Sequence, residues 1–318
     1  MNRSTIFPFL SIFIFAVGCT AQVNEAKKGK TDNSSREMNI DKKFTGISTS
    51  NSIEIIYTQN DLQSKAVISG KKEIVDNLTY NVNSDGTLSF KLPRTYEKKS
   101  YHKIIIQLNG GSINSFQASS SGIINVKTPI VTTKEINVSA SSGGQIIFNE
   151  DVTAQGSNIN VSTSSSGITD FLSKVRCSNI YLSSSSNGNI KISGSSIKMT
   201  ESSNNSSGDI EESALLTGQT YVSISSKASV SIKRIEGTVI HISASSAASF
   251  KCKNIFTRSM DMVASSGADI KVGGICENAS MNSSSGGDIN AKDLIIEKTP
   301  DISTSSGGKV LTAQPKKN

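Results

Sequence analysis

The chain has 318 residues, a length that holds either two average domains or one long repeat fold. Its composition argues against a compact helical enzyme: it has no Trp, 24 Gly and only 5% aromatic residues, with serine and asparagine spread between short apolar pulses. The formal net charge is +7. The basic clusters at Lys27-Lys28-Gly29-Lys30, Lys71-Lys72, Lys98-Lys99 and Lys316-Lys317 are spaced blocks without interleaved aromatics. That pattern argues against a nucleic-acid groove and suits a weak attraction to anionic lipid headgroups or acidic glycans, or simply a solvated surface.

Residues 1–18 read as a secretion signal: Arg3 supplies the positive start, and the apolar run from Ile6 to Val17 is too short to span a membrane. The segment ends in Ala16-Val17-Gly18-Cys19, which resembles a lipobox. Cys19 is therefore the expected lipidation site, tying the mature chain to a membrane of the cell envelope, by preference the outer membrane. An ordinary signal peptide that happens to end in Cys is the alternative. Residues 19–40 carry few apolar side chains and are expected to be a disordered tether.

From 41 to 103 the text alternates as strands do, in Ser52-Ile-Glu-Ile-Ile-Tyr57 and Leu78-Thr-Tyr-Asn-Val82. Asp85-Gly86 stands as a hairpin turn before Thr87-Leu-Ser-Phe90. These residues are expected to form the first irregular coils or a cap, closing with a surface loop over 93–103.

Between 104 and 312 the sequence repeats. The apolar residues that follow successive Ser/Gly clusters are Ile146, Ile168, Ile190, Ile210, Val230, Phe250, Ile270, Ile289 and Val310, at spacings of 22, 22, 20, 20, 20, 20, 19 and 21. Eight positions earlier stand Val138, Leu182, Val222, Ile242, Met262, Met281 and Ile302, and two positions later Ile192, Ile232, Cys252, Val272 and Ala291. Alternation of period two with β-branched residues and frequent glycine excludes a helical solenoid. The fold expected is all-β: a single-stranded parallel β-helix of about ten coils of about 20 residues, stacked about 4.8 Å apart. Ser-Ser pairs such as Ser141-Ser142, Ser265-Ser266 and Ser305-Ser306 fall in register. They would stack as hydroxyl ladders at a tight turn where Gly143, Gly267, Gly286 and Gly307 supply positive φ. Residues 313–318 are expected to be a flexible tail.

Phe44-Thr-Gly-Ile-Ser, Asp76-Asn77-Leu78 and Asp85-Gly86-Thr87-Leu88, followed by SASSGG-type repeats, resemble the bacterial family of putative autotransporter adhesins with a head GIN domain. The likeness covers about Phe44 to Val310. It implies a right-handed β-helix in a cell-envelope lipoprotein, with adhesion as the activity. Ser225-Ser226-Lys227-Ala228 and Ser245-Ser246-Ala247-Ala248 depart from the SxSSG pattern.

Chemistry is sparse. Asp209, Asp269 and Asp288 each directly precede an anchor residue, and Asp269 and Asp288 fall on consecutive coils, close enough to form a surface acidic pair. A Ca²⁺ site would need about six to eight oxygens, and Ser229 and Ser249 occupy the same phase in the intervening coils. His102 and His241 are the only histidines. His241 points outward between Ile240 and Ile242, with no acid expected near it at the same coil phase. No G-x-S-x-G elbow or phosphate loop occurs. Cys177, Cys252 and Cys276 form no C-x-x-C motif, so at least one thiol should stay free, and Cys252 reads as a core residue.

No catalytic residue, metal or cofactor is expected. The reading is a non-enzymatic envelope lipoprotein that binds a glycan or a surface protein along one face. The alternatives are a carbohydrate-active β-helix enzyme, either a polysaccharide lyase or a hydrolase, and a structural spacer. Sparse aromatics weigh against strong sugar stacking.

Overall fold

A computed structural model describes residues 32–60, 63–92, 96, 103–193, 197–199 and 218–313. The chain divides into two units, Met1–Asp32 and Asn33–Asn318, and the solenoid lies within the second. Cys19 with its lipobox, His102, Asp209 and Ile210 lie outside the described residues.

Period-two alternation is the seed of the fold. In the strand Ile136–Ala140, Ile136, Val138 and Ala140 are buried while Asn137 and Ser139 face solvent. The next coil lays Ile159 and Val161 beside Ile136 and Val138 in parallel register, and the coil after it adds Ile180 and Leu182. Stacking apolar residue on apolar residue makes each coil bury the next one's inner row, which a lone coil cannot do. A second column of strands stacks Gln145–Phe148, Ile168–Phe171 and Asn189–Ile192. A third stacks Ile130–Thr132, Val152–Ala154 and Val175–Cys177. The described residues join in one 26-stranded sheet, a parallel β-solenoid of about eight turns.

One turn fewer than the sequence count has a definite reason. Ile190 pairs directly with Val230, and the amide of Asn187 at one turn donates to Ser226 at the next. The ladder thus steps over the period that Ile210 marks in the sequence.

The turn after the first column is a two-residue turn with both φ values positive: Ser142 and Gly143 (48° and 73°), Ser165 and Ser166 (46° and 63°), Ser246 and Ala247 (54° and 60°). Lys227 and Ala247, the departures from the serine-glycine pattern, take the same left-handed conformation as the glycines. The vertical ladder at this turn is made by the backbone: Gly143 N–H donates to Ser165 C=O, Lys227 N–H to Ser246 C=O and Ala247 N–H to Ser266 C=O, each at 3.0 Å. The residue just after the turn passes close to the neighbouring coil. A Cβ on Gly167 would lie 2.2 Å from the Ala140 carbonyl oxygen, although Ala228, Ala248 and Ala268 are accommodated at the same position in other coils.

The interior is filled in columns. Phe148 and Phe171 stack at 4.7 Å, and Phe116 meets Phe148 edge-on at 4.9 Å. Ile192, Ile232, Cys252 and Val272 continue the row that runs through Tyr57, Val126, Phe148 and Phe171. Some buried hydroxyls pair with one another, as Thr163 does with Ser184 at 2.7 Å, whereas Thr169 and Thr220 are buried without a hydrogen-bond partner. Cys177, Cys252 and Cys276 are all free and buried.

The N-terminal end is threaded out of chain order. Gly46–Thr49 pairs with Thr87–Lys91 on one side and with Ser115–Ala118 on the other. Ile53–Gln59 likewise lies between Ile104–Gly110 and Ile123–Val126. The coil made first in the chain is therefore enclosed by two made later, and Ile104–Gly110, expected to open the repeat, belongs to the outer one. Lys65–Lys71 then covers Ile104–Gly110 in antiparallel fashion, and a short helix not expected from the sequence, Lys72–Asn77, comes directly after it. The Asp85-Gly86 hairpin forms as expected between Thr79–Val82 and Thr87–Lys91, with Gly86 at φ 81° and Asp85 Oδ1 accepting from the Thr87 amide at 2.9 Å.

Residues 33–40, expected to belong to a disordered tether, are ordered. Asn33–Asn39 is a strand, antiparallel to Lys65–Lys71, and Ile40 is buried. Low hydrophobicity misled because an edge strand needs backbone partners more than apolar side chains. Arg36 fixes it further by donating to the carbonyls of Asp76 and Leu78.

Candidate functional site

The first column of strands carries an unusual outer face. Its inward residues are core; its outward residues, two per strand, line up from coil to coil. One outward row runs Ser115, Asn137, Asn160, Tyr181, Tyr221, His241, Asp261. The parallel row beside it runs Gln117, Ser139, Ser162, Ser183, Ser223, Ser243, Val263.

Parallel in-register pairing places like positions one coil apart, close to ring-stacking distance. Tyr181 and Tyr221 therefore stack at 4.9 Å with planes 3° apart, and His241 continues the stack on Tyr221 at 5.1 Å and 13°. His241 Nδ1 then faces Asp261 Oδ2 at 3.5 Å. Tyr221 is held: its hydroxyl donates to Gln219 Oε1, and the Gln219 backbone amide donates to Asn179 Oδ1 at 3.1 Å. On the other side of Tyr181, Asn160 Nδ2 donates to Asn137 Oδ1 at 2.9 Å.

Two contiguous depressions run along this face. The larger, about 430 Å³, is bounded by Tyr181, Tyr221, His241 and Asp261 along one row and by Ser183, Ser223, Ser243 and Val263 along the other. The smaller, about 270 Å³, continues past Tyr181 over Asn160, Asn137 and Gln117. Together they form an open groove parallel to the solenoid axis, with ring edges on one wall and a hydroxyl row beside them.

His241 is thus not the isolated surface histidine expected from sequence: Asp261 sits in register with it on the next coil. The pair is not a hydrolytic triad, since among the described residues no hydroxyl lies within hydrogen-bond reach of His241, and 3.5 Å to the carboxylate is long for a positioning hydrogen bond. Both side chains are about half exposed.

Asp269 and Asp288 are in register on consecutive coils, as expected. They lie on the second column, flanked in register by Ser249 on one side and Lys309 on the other. Among the described residues no group of three or more His, Cys, Asp or Glu side chains could hold a metal ion. One oxygen of Asp288, Oδ1, is buried without a hydrogen-bond partner. The outward row beside these acids carries Lys191, Ser231, Lys251 and Lys271, preceded by Asp170, whose carboxyl is raised by burial and lowered in part by Lys191. Cationic charge therefore gathers on the second column, while among the described residues no Lys or Arg lines the groove on the first.

The aromatic ladder was hidden in the sequence because the period marked by Ile210 puts Tyr181 and Tyr221 two coils apart on paper, whereas the structure makes them neighbours. Asp261, one period of 20 residues after His241, was legible in the sequence.

Solved structures share this architecture. A putative adhesin from Parabacteroides merdae, 12% identical in sequence, superposes over 90% of this chain and 98% of its own with a TM-score of 0.56. A putative adhesin from Parabacteroides distasonis, 13% identical, does so over 87% and 98% with a TM-score of 0.54. At such identities the likeness speaks for the fold alone. No curated protein matches the chain in sequence. Residues 43–237 and 220–316 both match the sequence model described as "Putative auto-transporter adhesin, head GIN domain", and across that span the chain belongs to this family.

Proposed function

We propose that the protein is a non-enzymatic adhesin of the cell envelope, anchored through a lipid on Cys19 in the outer membrane, that holds a surface ligand along the groove of its first strand column. The observation that carries this reading is the ladder Tyr181, Tyr221 and His241: a rigid aromatic wall, half exposed, with a row of serine hydroxyls beside it. Aromatic side chains bring large contact area at low entropic cost, which is what a binding face needs. The His241–Asp261 pair lacks a nucleophile, and the Asp269–Asp288 pair sits on another column beside lysines, so binding without turnover is the better fit. The N-terminal segment ending at Cys19 supports secretion and lipid attachment.

The test uses beads coated with the full chain. They should adhere to cells or to immobilised cell-surface extracts, lose that adhesion in a Tyr181→Ala/Tyr221→Ala variant, and release no soluble fragments from the surface. Fragment release would convert the reading to a carbohydrate-active enzyme. Equal adhesion by the variant would remove the groove from the function. Radiolabelled palmitate should enter the wild-type chain and not Cys19→Ser.

A further inference from the structure

We infer that the groove takes an uncharged, extended glycan laid along the solenoid axis, about one sugar ring per coil, with a terminal stacking position on the open face of Tyr181. This names the ligand of the adhesin reading above and rests on it.

Charge selects against an acidic ligand. The chain carries an excess of cations, yet among the described residues no Lys or Arg lines either part of the groove, whereas Lys191, Lys251 and Lys271 stand together on the next column. An acidic polymer would be drawn to the lysine column; the groove, whose described lining offers the acid Asp261 and no cation, repels it.

The walls match the two faces of a sugar. Sugars present C–H faces on one side and hydroxyls at the rim. Here the ring edges of Tyr181, Tyr221 and His241 form the apolar wall, and Ser183, Ser223 and Ser243 supply one hydroxyl per coil. Both faces of Tyr221 are covered by its neighbours in the stack, so full stacking on a tyrosine ring is open at Tyr181, on the side where Asn160 and Asn137 offer amide groups, while the far face of His241 looks toward the acidic Asp261.

Spacing sets the orientation. The ladder rises by 4.9 and 5.1 Å per coil, close to the advance of an extended hexose chain per unit, so each sugar meets the same set of groups as the last. A peptide lying there would leave its amides and carbonyls without main-chain partners, because this column's backbone is already engaged between coils and strand addition needs a free edge. The Gln219 and Asn179 contacts hold Tyr221 in place beforehand, which lowers the ordering cost of binding.

The experiment is calorimetry on the full chain with neutral β-linked gluco-, manno- and N-acetylgluco-oligosaccharides of increasing length, beside polygalacturonate as the acidic probe. Affinity for one neutral series should rise with each added unit until the chain spans the coils of Tyr181 to Asp261, then level off. Tyr181→Ala should weaken it about tenfold, and Ser223→Arg should abolish it with an unchanged melting temperature, while Lys251→Ala/Lys271→Ala leaves it intact. Length-independent affinity, or binding of polygalacturonate alone and its loss in the lysine variant, overturns the inference. If no neutral series binds while bead adhesion still depends on Tyr181 and Tyr221, the ligand class is wrong and the adhesin reading stands. If adhesion is also indifferent to those tyrosines, both fall.

Discussion

His241 lies flat on Tyr221, centroids 5.1 Å apart, on the outside of a sheet where neither ring gains from burial in the core. The contact is therefore a cross-strand pair, created by parallel register and worth what such pairs are worth. Tyr221 is covered on both faces and His241 on one, so Tyr221→Ala should cost about 1–2 kcal/mol in chemical denaturation and His241→Ala about half that. The double variant should lose less than the sum, because the two substitutions remove one shared contact.

The three thiols are core atoms. Burial pushes Cys177 and Cys252 up to about 12, and Cys276, with Glu297 nearby, to about 11, which removes the reactive thiolate at neutral pH. A maleimide probe should leave all three unlabelled in the native protein and label all three in denaturant. Fast labelling of any of them under native conditions would contradict the packing.

Two substitutions at the turn should act in opposite directions. Gly167→Ala brings a methyl against the Ala140 carbonyl, which the coil must shift to admit as it does at Ala228, Ala248 and Ala268, and should cost about 1–2 kcal/mol, read as a fall in the denaturation midpoint. Ala247→Gly relieves a left-handed alanine at φ 60° and should gain up to about 1 kcal/mol after the added entropy of glycine in the unfolded chain.

Asp151 ties a surface corner together. Its carboxylate accepts from the Ser173 hydroxyl, from the Lys174 amide at 3.0 Å and from Arg176 at 3.0 Å, and these hold its carboxyl below the usual range, the Ser173 bond foremost. A depressed carboxyl stabilises the fold above its unfolded value and stops doing so as pH falls through its folded one. Asp151→Asn should therefore cost about 1 kcal/mol at neutral pH, with the gap to wild type closing in acid. A gap that is constant with pH would mean that the charge contributes nothing.

The solenoid was legible because alternation and a period near 20 leave few folds open, and Ile146, Val230, Phe250 and Ile270 fall in the rows their spacing requires. Cys252 also lies in the core, as its place in the apolar stripe requires. Two features were hidden. Asn33–Asn39 pairs through its backbone and so shows no hydrophobic signature. The ladder depends on which coils touch, and Ile190 pairing with Val230 across an apparent extra period is a decision of three-dimensional register that a one-dimensional count cannot make.

The enclosed position of residues 46–59, between residues 87–110 on one side and 115–126 on the other, also fixes an order of assembly. A strand pair cannot close until both partners exist, and here the partners on either side are synthesised later. The coil nearest the start of the chain therefore cannot complete either edge until residues 87–126 are present.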